Sequence, residues 1–255
     1  MIAKTADDRE ALREGGRRLA RHLRILSDMV APGVRSIDLE KRAVEMVELD
    51  GDVPAFLHYP SGKRGEKFPG GLCFSANDAI VHGPAAIADY VIQEGDIVSL
   101  DFGIRHRGLY TDHAVTVIAG RGSEEDKRLV RGTYEALDAG IQAALVGARI
   151  GDIGHAIEEV ADRYHFGFPR NLSGHGVGRA VHEEPHVPNF GTPRTGQILQ
   201  ENLVIAIEPM MTLGTGDLYI DKDGFTYRTK DHSRAAHAEH TVLLTMEGPE
   251  ILTKE

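Results

Sequence analysis

The chain has 255 residues, 41% of them hydrophobic and 27% charged, with a formal net charge of −10. That length supports one large core or two small ones, and the scattered Lys and Arg lack the clustering that nucleic-acid binding requires. Cys73 is the only cysteine, which excludes an intrachain disulfide and any thiolate-rich zinc or iron–sulfur centre.

Residues 7–30 predict an amphipathic helix with Leu12, Leu19, Leu23, Ile25, Leu26 and Val30 on its apolar face, stopped by Ala31-Pro32-Gly33. The N-terminal stretch is charged and lacks the apolar core of a secretory signal. No apolar run approaches the roughly 18 residues that cross a bilayer, so the expectation is a cytoplasmic protein without a membrane partner. Ser36 is expected to N-cap a second helix, with Leu39, Ala43, Val44 and Val47 inward and Gly51 near its end. The Gly, Pro and Lys content of residues 60–71 predicts a loop, read as a solvated insertion rather than part of a binding rim. Residues 97–104 and 109–118 predict two strands joined at the polar turn His106-Arg107-Gly108. Residues 124–146 and 151–164 predict a further helix pair, and apolar runs follow at 203–207 and 241–245.

The second half thus repeats the first. Residues 32–47 align with 146–161, residues 94–101 with 201–208, and residues 112–118 with 239–245. Each match is weak alone. Three in the same order predict a duplicated α+β unit, roughly residues 7–120 and 124–246, within one domain spanning 1–255. The alignment pairs Asp101 with Glu208 and Asp112 with Glu239. These four carboxylates converge if the halves pack about a pseudo-two-fold axis.

A strand-end acid ordinarily points into water, but the recurrence of all four at matched places favours a shared centre. Buried carboxylates repel one another and resist ionisation. Divalent ions remove that conflict, and a close pair of ions is a recurrent hydrolytic design.

A second cluster lies at residues 171–191, NLSGHGVGRAVHEEPHVPNFG. His175 is flanked by Gly174, Gly176 and Gly178, which let the backbone approach a crowded centre; His182 follows seven residues later. His82, in SANDAIVHG, is a third candidate. His113 and His240 each follow one of the acids, so strand alternation turns them to the opposite face, where they either support the acids from behind or pack.

The combination SANDAIVHG, LDFG followed by TDHAVTV, SGHGVGRAVHEEPHVPNFG, IAIEPM and AEHTVLLT resembles type I methionine aminopeptidases from about residue 5 to about residue 250. The resemblance implies the α+β pita-bread fold, two similar half-domains around a dinuclear metal centre. It implies that Asp101 binds one ion, that Asp112 and Glu239 bridge both, and that His175 and Glu208 complete the second. A bridging water activated by the ions would attack the first peptide carbonyl, with Glu208 shuttling protons. His82 and His182 would hydrogen-bond the scissile amide and its tetrahedral intermediate. The two divalent ions are left open among Co, Mn, Fe(II) and Zn, since four carboxylates and one imidazole suit all of them. The implied partners are N-termini of nascent polypeptides, at the ribosome, with the protein acting as a monomer and binding no nucleic acid.

Cys73, Tyr59 and Phe225 match side-chain pocket positions of that family. Two positions depart from its pattern: Val81 stands where Cys is common, and Val181 where a pocket-lining Phe is common. Selectivity for methionine is therefore less determined than the chemistry. The rival readings are a proline-specific aminopeptidase of the same fold and a metal-free binding protein that has lost catalysis.

Overall fold

The computed structural model describes residues 1–60 and 66–255. Helices α1 (Ala6–Met29) and α2 (Ser36–Leu49) lead into strands β1 (Val53–Pro54), β2 (Leu72–Ala76) and β3 (Ala79–Val81), then a single-turn helix α3 (Ala85–Ala88). The long hairpin of β4 (Ile97–His106) and β5 (Leu109–Ile118) follows. Helices α4 (Glu124–Ala143) and α5 (Ile150–Tyr164) open the second half. Strands β6 (Ser173–Gly176), β7 (Glu183–Pro188), β8 (Val204–Ile207), β9 (Met210–Thr212) and β10 (Leu218–Ile220) come next. The chain closes with β11 (Tyr227–Thr229), β12 (Ala235–His237), β13 (Glu239–Thr245) and β14 (Gly248–Ile251).

Local chemistry accounts for these boundaries. Thr5 and Ser123 begin α1 and α4 with reciprocal capping boxes to Asp8 and Asp126, each stabilising its helix by about 1 kcal/mol. Arg107 and Gly108 both adopt positive φ, 47° and 85°, so the β4–β5 hairpin turns through the two-residue loop that matches strand twist. The expectation for Ser36 is corrected. Arg35 is the N-cap of α2 and makes no side-chain cap, while the Ser36 hydroxyl accepts from Tyr90 N–H at 2.9 Å.

The main sheet runs β1-β4-β5-β13-β8-β6-β7, with β2 also on β4 and β14 also on β13. All pairings among the described residues are antiparallel. Two helix pairs cover one side of it. Leu19, Leu23 and Leu26 of α1 and Leu39 and Val47 of α2 pack with Leu100, Phe102 and Ile104. Leu137 and Ile141 of α4 and Ile153 and Ile157 of α5 pack with Ile205, Ile207, Val242 and Leu244. Because strand residues alternate, the apolar positions facing the helices leave Asp101, Asp112 and Glu239 facing the other side. No helix among the described residues is long and apolar enough to cross a membrane.

Candidate metal centre and active-site cavity

Cys73, Asp101, Ala114 and Glu239 stand opposite one another across β2, β4, β5 and β13. Opposed residues share a face of the sheet, so Asp101 and Glu239 project together with only the Ala114 methyl between them. Asp112, two residues before Ala114, shares that face. A second row, His175, Ala206 and Thr241, crosses β6, β8 and β13. Thr241 Oγ1 accepts from Asp112 N–H at 2.9 Å and donates to the Asp112 carbonyl at 2.7 Å, closing the two rows on each other. Glu208 follows β8, its carbonyl held by Asn189 Nδ2 at 3.0 Å. Glycine at 176 is required by this crowding, because a Cβ there would lie 2.2 Å from the Glu184 carbonyl.

Donor atoms of Asp101, Asp112 and Glu239 lie within 4.8 Å of one another, as do those of His175, Glu208 and Glu239 and those of Asp112, His175 and His182. Glu239, Asp112 and His175 each belong to two of these groups. Burial, with Glu208 nearby, pushes the Asp112 carboxyl up to about 8, and burial alone pushes Glu208 up to about 8. Burial and the neighbouring acids raise Asp101 and Glu239 as well. Among the described residues none of the four pairs with Lys or Arg; the ion-pair contacts of Asp112, Glu208 and Glu239 are to His175 and His237.

His175 decides what the centre fits. Its Nδ1 lies 2.9 Å from the Gly176 carbonyl, which only accepts, so Nδ1 carries the proton. The bare Nε2 lone pair then faces Glu208 Oε1 at 3.4 Å and Asp112 Oδ2 at 3.9 Å. A lone pair aimed at carboxylates is repulsive unless a cation or a proton lies between them. Carboxylate oxygens plus one such oriented imidazole form a donor set suited to a divalent cation.

A cavity of about 560 Å³ opens over this centre. Phe56, Tyr59, Phe68, Cys73 and His82 line it together with the acids and His175. His82 is held at a φ of 60° and meets the Tyr227 ring edge-on at 5.5 Å. Burial lowers it to about 4, so it is neutral near pH 7. His182 stands at the mouth, edge-on to His175 at 4.3 Å, and burial also lowers it to about 4. Val181 and Phe225 belong to the same apolar cluster as Phe56, Phe68 and Cys73 and pack behind the lining.

Sequence reasoning missed Phe56, Phe68 and His237. Residues 61–65 of the expected loop lie outside the described residues. Glu66 and Lys67 of its far arm are exposed, but Phe68 is 4% exposed and turns into the cavity, edge-on to Phe225 at 5.7 Å. Glu40 holds that arm, accepting from Gly71 and Leu72 N–H at 2.7 and 2.9 Å. His237 lies two residues before Glu239, and that alternate-residue spacing is the signal that marks it. His113 and His240 stack on each other, ring centroids 4.6 Å apart.

The model of metallopeptidase family M24 matches residues 10–246. The chain belongs to metallopeptidase family M24. Within M24 it is 45% identical over 247 residues to the methionine aminopeptidase of Aquifex aeolicus, spanning 96% of this chain and 95% of that one. It matches the crystal structure of methionine aminopeptidase from Thermotoga maritima with a TM-score of 0.95 and 41% identity, over 100% of both chains. Prolidase from Pyrococcus furiosus, at 23% identity and a TM-score of 0.78 over 66% of that chain, shares the fold alone. The fold is therefore the α+β pita-bread architecture, and this M24 chain is a metallopeptidase that uses a divalent metal.

Proposed function

We propose that this M24 peptidase removes the N-terminal methionine from nascent polypeptides and peptides. The observation that carries the reading is the overlap of three donor groups through Asp112, Glu239 and His175 at the floor of an aromatic-walled cavity. Sharing of this kind suits two ions rather than one. Asp101 would bind one ion, Asp112 and Glu239 both, and His175 and Glu208 the other, with Mn, Fe(II), Co and Zn all compatible with the donors. Bound there, divalent ions would polarise the scissile carbonyl and lower the pKa of a coordinated water.

The chain's own residues supply the rest. Neutral His82 and His182 each have one ring N–H to give to the scissile amide and to the oxygen that gains charge at its carbonyl. Glu208 accepts a proton and returns it to the leaving nitrogen. A free α-amine would be held at the metal centre, which restricts cleavage to the first residue. Phe56 and Phe68 offer aromatic surface to a thioether, which favours methionine. The kinship with methionine aminopeptidases supports the same choice. Asp101, Asp112 and Glu239 stand on the neighbouring strands β4, β5 and β13, and Glu208 directly follows the next strand, β8, which supports one domain built from a duplicated unit, roughly residues 7–120 and 124–246.

The test is release of the first residue from Met-Gly-, Met-Ala-, Leu-Gly- and Ala-Pro- peptides by chelator-stripped protein resupplied with Mn, Fe(II), Co or Zn. Metal-dependent release from the Met peptides is expected. Release from Ala-Pro- alone would move the chain to a proline-specific reading, and no release with any ion would end the peptidase reading.

A further inference from the structure

The Glu208 carboxyl lies between two imidazoles. Its Oε1 is 3.4 Å from His175 Nε2, and its Oε2 is 3.4 Å from His237 Nε2. His237 is 1% exposed at the end of β12, and its Nε2 also lies 4.0 Å from Glu239 Oε2. Thr116 on β5 holds its backbone from both sides. The Thr116 hydroxyl accepts from His237 N–H at 3.0 Å and donates to the His237 carbonyl at 2.6 Å. Ser99 on β4 then donates its own hydroxyl to Thr116 Oγ1 at 2.7 Å. The ring is thereby fixed to the strand that carries Asp112, yet neither ring nitrogen has a hydrogen-bond partner among the described residues.

Burying an imidazole without partners is costly, about 1–3 kcal/mol per unsatisfied group. The two tautomers differ sharply here. A proton on Nδ1 would leave the Nε2 lone pair facing two carboxyl groups. A proton on Nε2 turns a donor toward them, and a small movement of the Glu208 side chain makes the bond. The ring is not placed as a ligand, because none of the three-donor groups found among the described residues includes His237.

We propose that His237 is a positioning residue of the metal centre: its Nε2–H donates to Glu208 Oε2 and so directs Oε1 to the side where the His175 Nε2 lone pair stands. This rests on the metal-ligand reading given above for Glu208 and His175. A ligand carboxylate held by a buried donor keeps its orientation when the ion leaves, and loss of such support typically costs about 10- to 100-fold in metal affinity.

The test titrates Co(II) into chelator-stripped protein by calorimetry, with the visible Co(II) absorption as a second readout. It compares wild type, His237→Gln and His237→Met. Gln and Met have similar length, and only Gln keeps an N–H donor. Met is expected to weaken Co(II) binding by about 10- to 100-fold and to lower kcat with KM for a Met peptide unchanged, while Gln stays close to wild type. Equal affinities in all three proteins, or equal losses in Gln and Met, would overturn the proposal. Imidazole nitrogen NMR on the wild-type protein tests it independently of any variant. A proton on His237 Nε2 is expected, and a bare Nε2 overturns it. Failure of the wild-type protein to bind Co(II) at all would instead overturn the metal-centre reading on which this rests.

Discussion

The Tyr59 hydroxyl lies 2.8 Å from His182 Nδ1, with the two rings edge-on at 5.0 Å. A phenol is the better donor of the two and an imidazole nitrogen the better acceptor, and burial keeps the Tyr59 hydroxyl protonated by raising its pKa. The bond therefore fixes His182 as the Nε2–H tautomer, the form that donates into the cavity. Tyr59→Phe is expected to lower kcat about five- to tenfold, the worth of roughly 1 kcal/mol of lost orientation. Divalent-ion affinity should not change. A variant with normal kcat would show that His182 needs no such support.

The buried acids make the metal-free protein sensitive to pH in a defined direction. Asp112 and Glu208 are pushed up to about 8, and Asp101 and Glu239 are raised, against unfolded values near 4. The folded state thus holds more protons than the unfolded state up to about pH 8, and stability falls as pH rises through that range. The buried histidines act oppositely. His82, His175 and His237 are lowered to between about 3 and about 4, so their contribution is lost as pH falls below the unfolded value near 6.5. Between about pH 6.5 and 8 the four acids give a falling slope, opposed by the single Met1 amino group, which burial lowers from its ordinary value near 8. The Tm of chelator-stripped protein should fall across that window, and divalent ions should remove the fall while releasing protons on binding. A flat Tm in the stripped protein would count against four mutually buried carboxyls.

The cavity wall gives a prediction on selectivity. Phe68 faces Phe225 edge-on and lines the cavity, and sulfur–aromatic contacts are worth about 0.3–1.5 kcal/mol. Phe68→Leu keeps the volume nearly filled but removes the aromatic face. The ratio of kcat/KM for Met-Gly- over Leu-Gly- peptides should drop about fivefold, through KM rather than kcat. Val181→Phe, which adds an aromatic ring to the same cluster, should move the ratio the other way. Ratios unchanged in both variants would place side-chain recognition elsewhere.

The parts of this molecule legible in its sequence are those encoded by local periodicity. The β4–β5 hairpin shows in two apolar runs around Arg107-Gly108, and three short alignments pick out the four acids whose carboxyl groups the structure brings together. Ser36 misleads because a serine before an apolar run reads as a cap, whereas its hydroxyl is taken by Tyr90 N–H, distant in sequence. Phe68 misleads because a lone aromatic among Gly, Pro and Lys has no period, and the Glu40 carboxyl that fixes its arm comes from another helix. His237 is marked only by its spacing two residues before Glu239, since its closest carboxyl, Glu208, lies on a different segment.

Ala114 tests the geometry of the centre most directly. It stands opposite both Asp101 and Glu239 in the sheet and is fully buried. A larger side chain there must push the two acids apart or turn one of them away, because interiors packed at this density do not absorb extra methyl groups freely. Ala114→Val is expected to cost about 1–3 kcal/mol of stability. Divalent-ion affinity should fall by about tenfold or more, as for other changes that misorient ligands. Ala114→Gly removes a methyl without adding bulk and should keep metal affinity, losing only about 0.5–1 kcal/mol of stability in a strand interior. Thermal unfolding with and without chelator separates the two costs, and calorimetric titration of Mn or Co(II) reads the affinity. Wild-type affinity in the Val variant would mean that Asp101 and Glu239 do not meet across Ala114, and the row of residues that builds the centre would have to be redrawn.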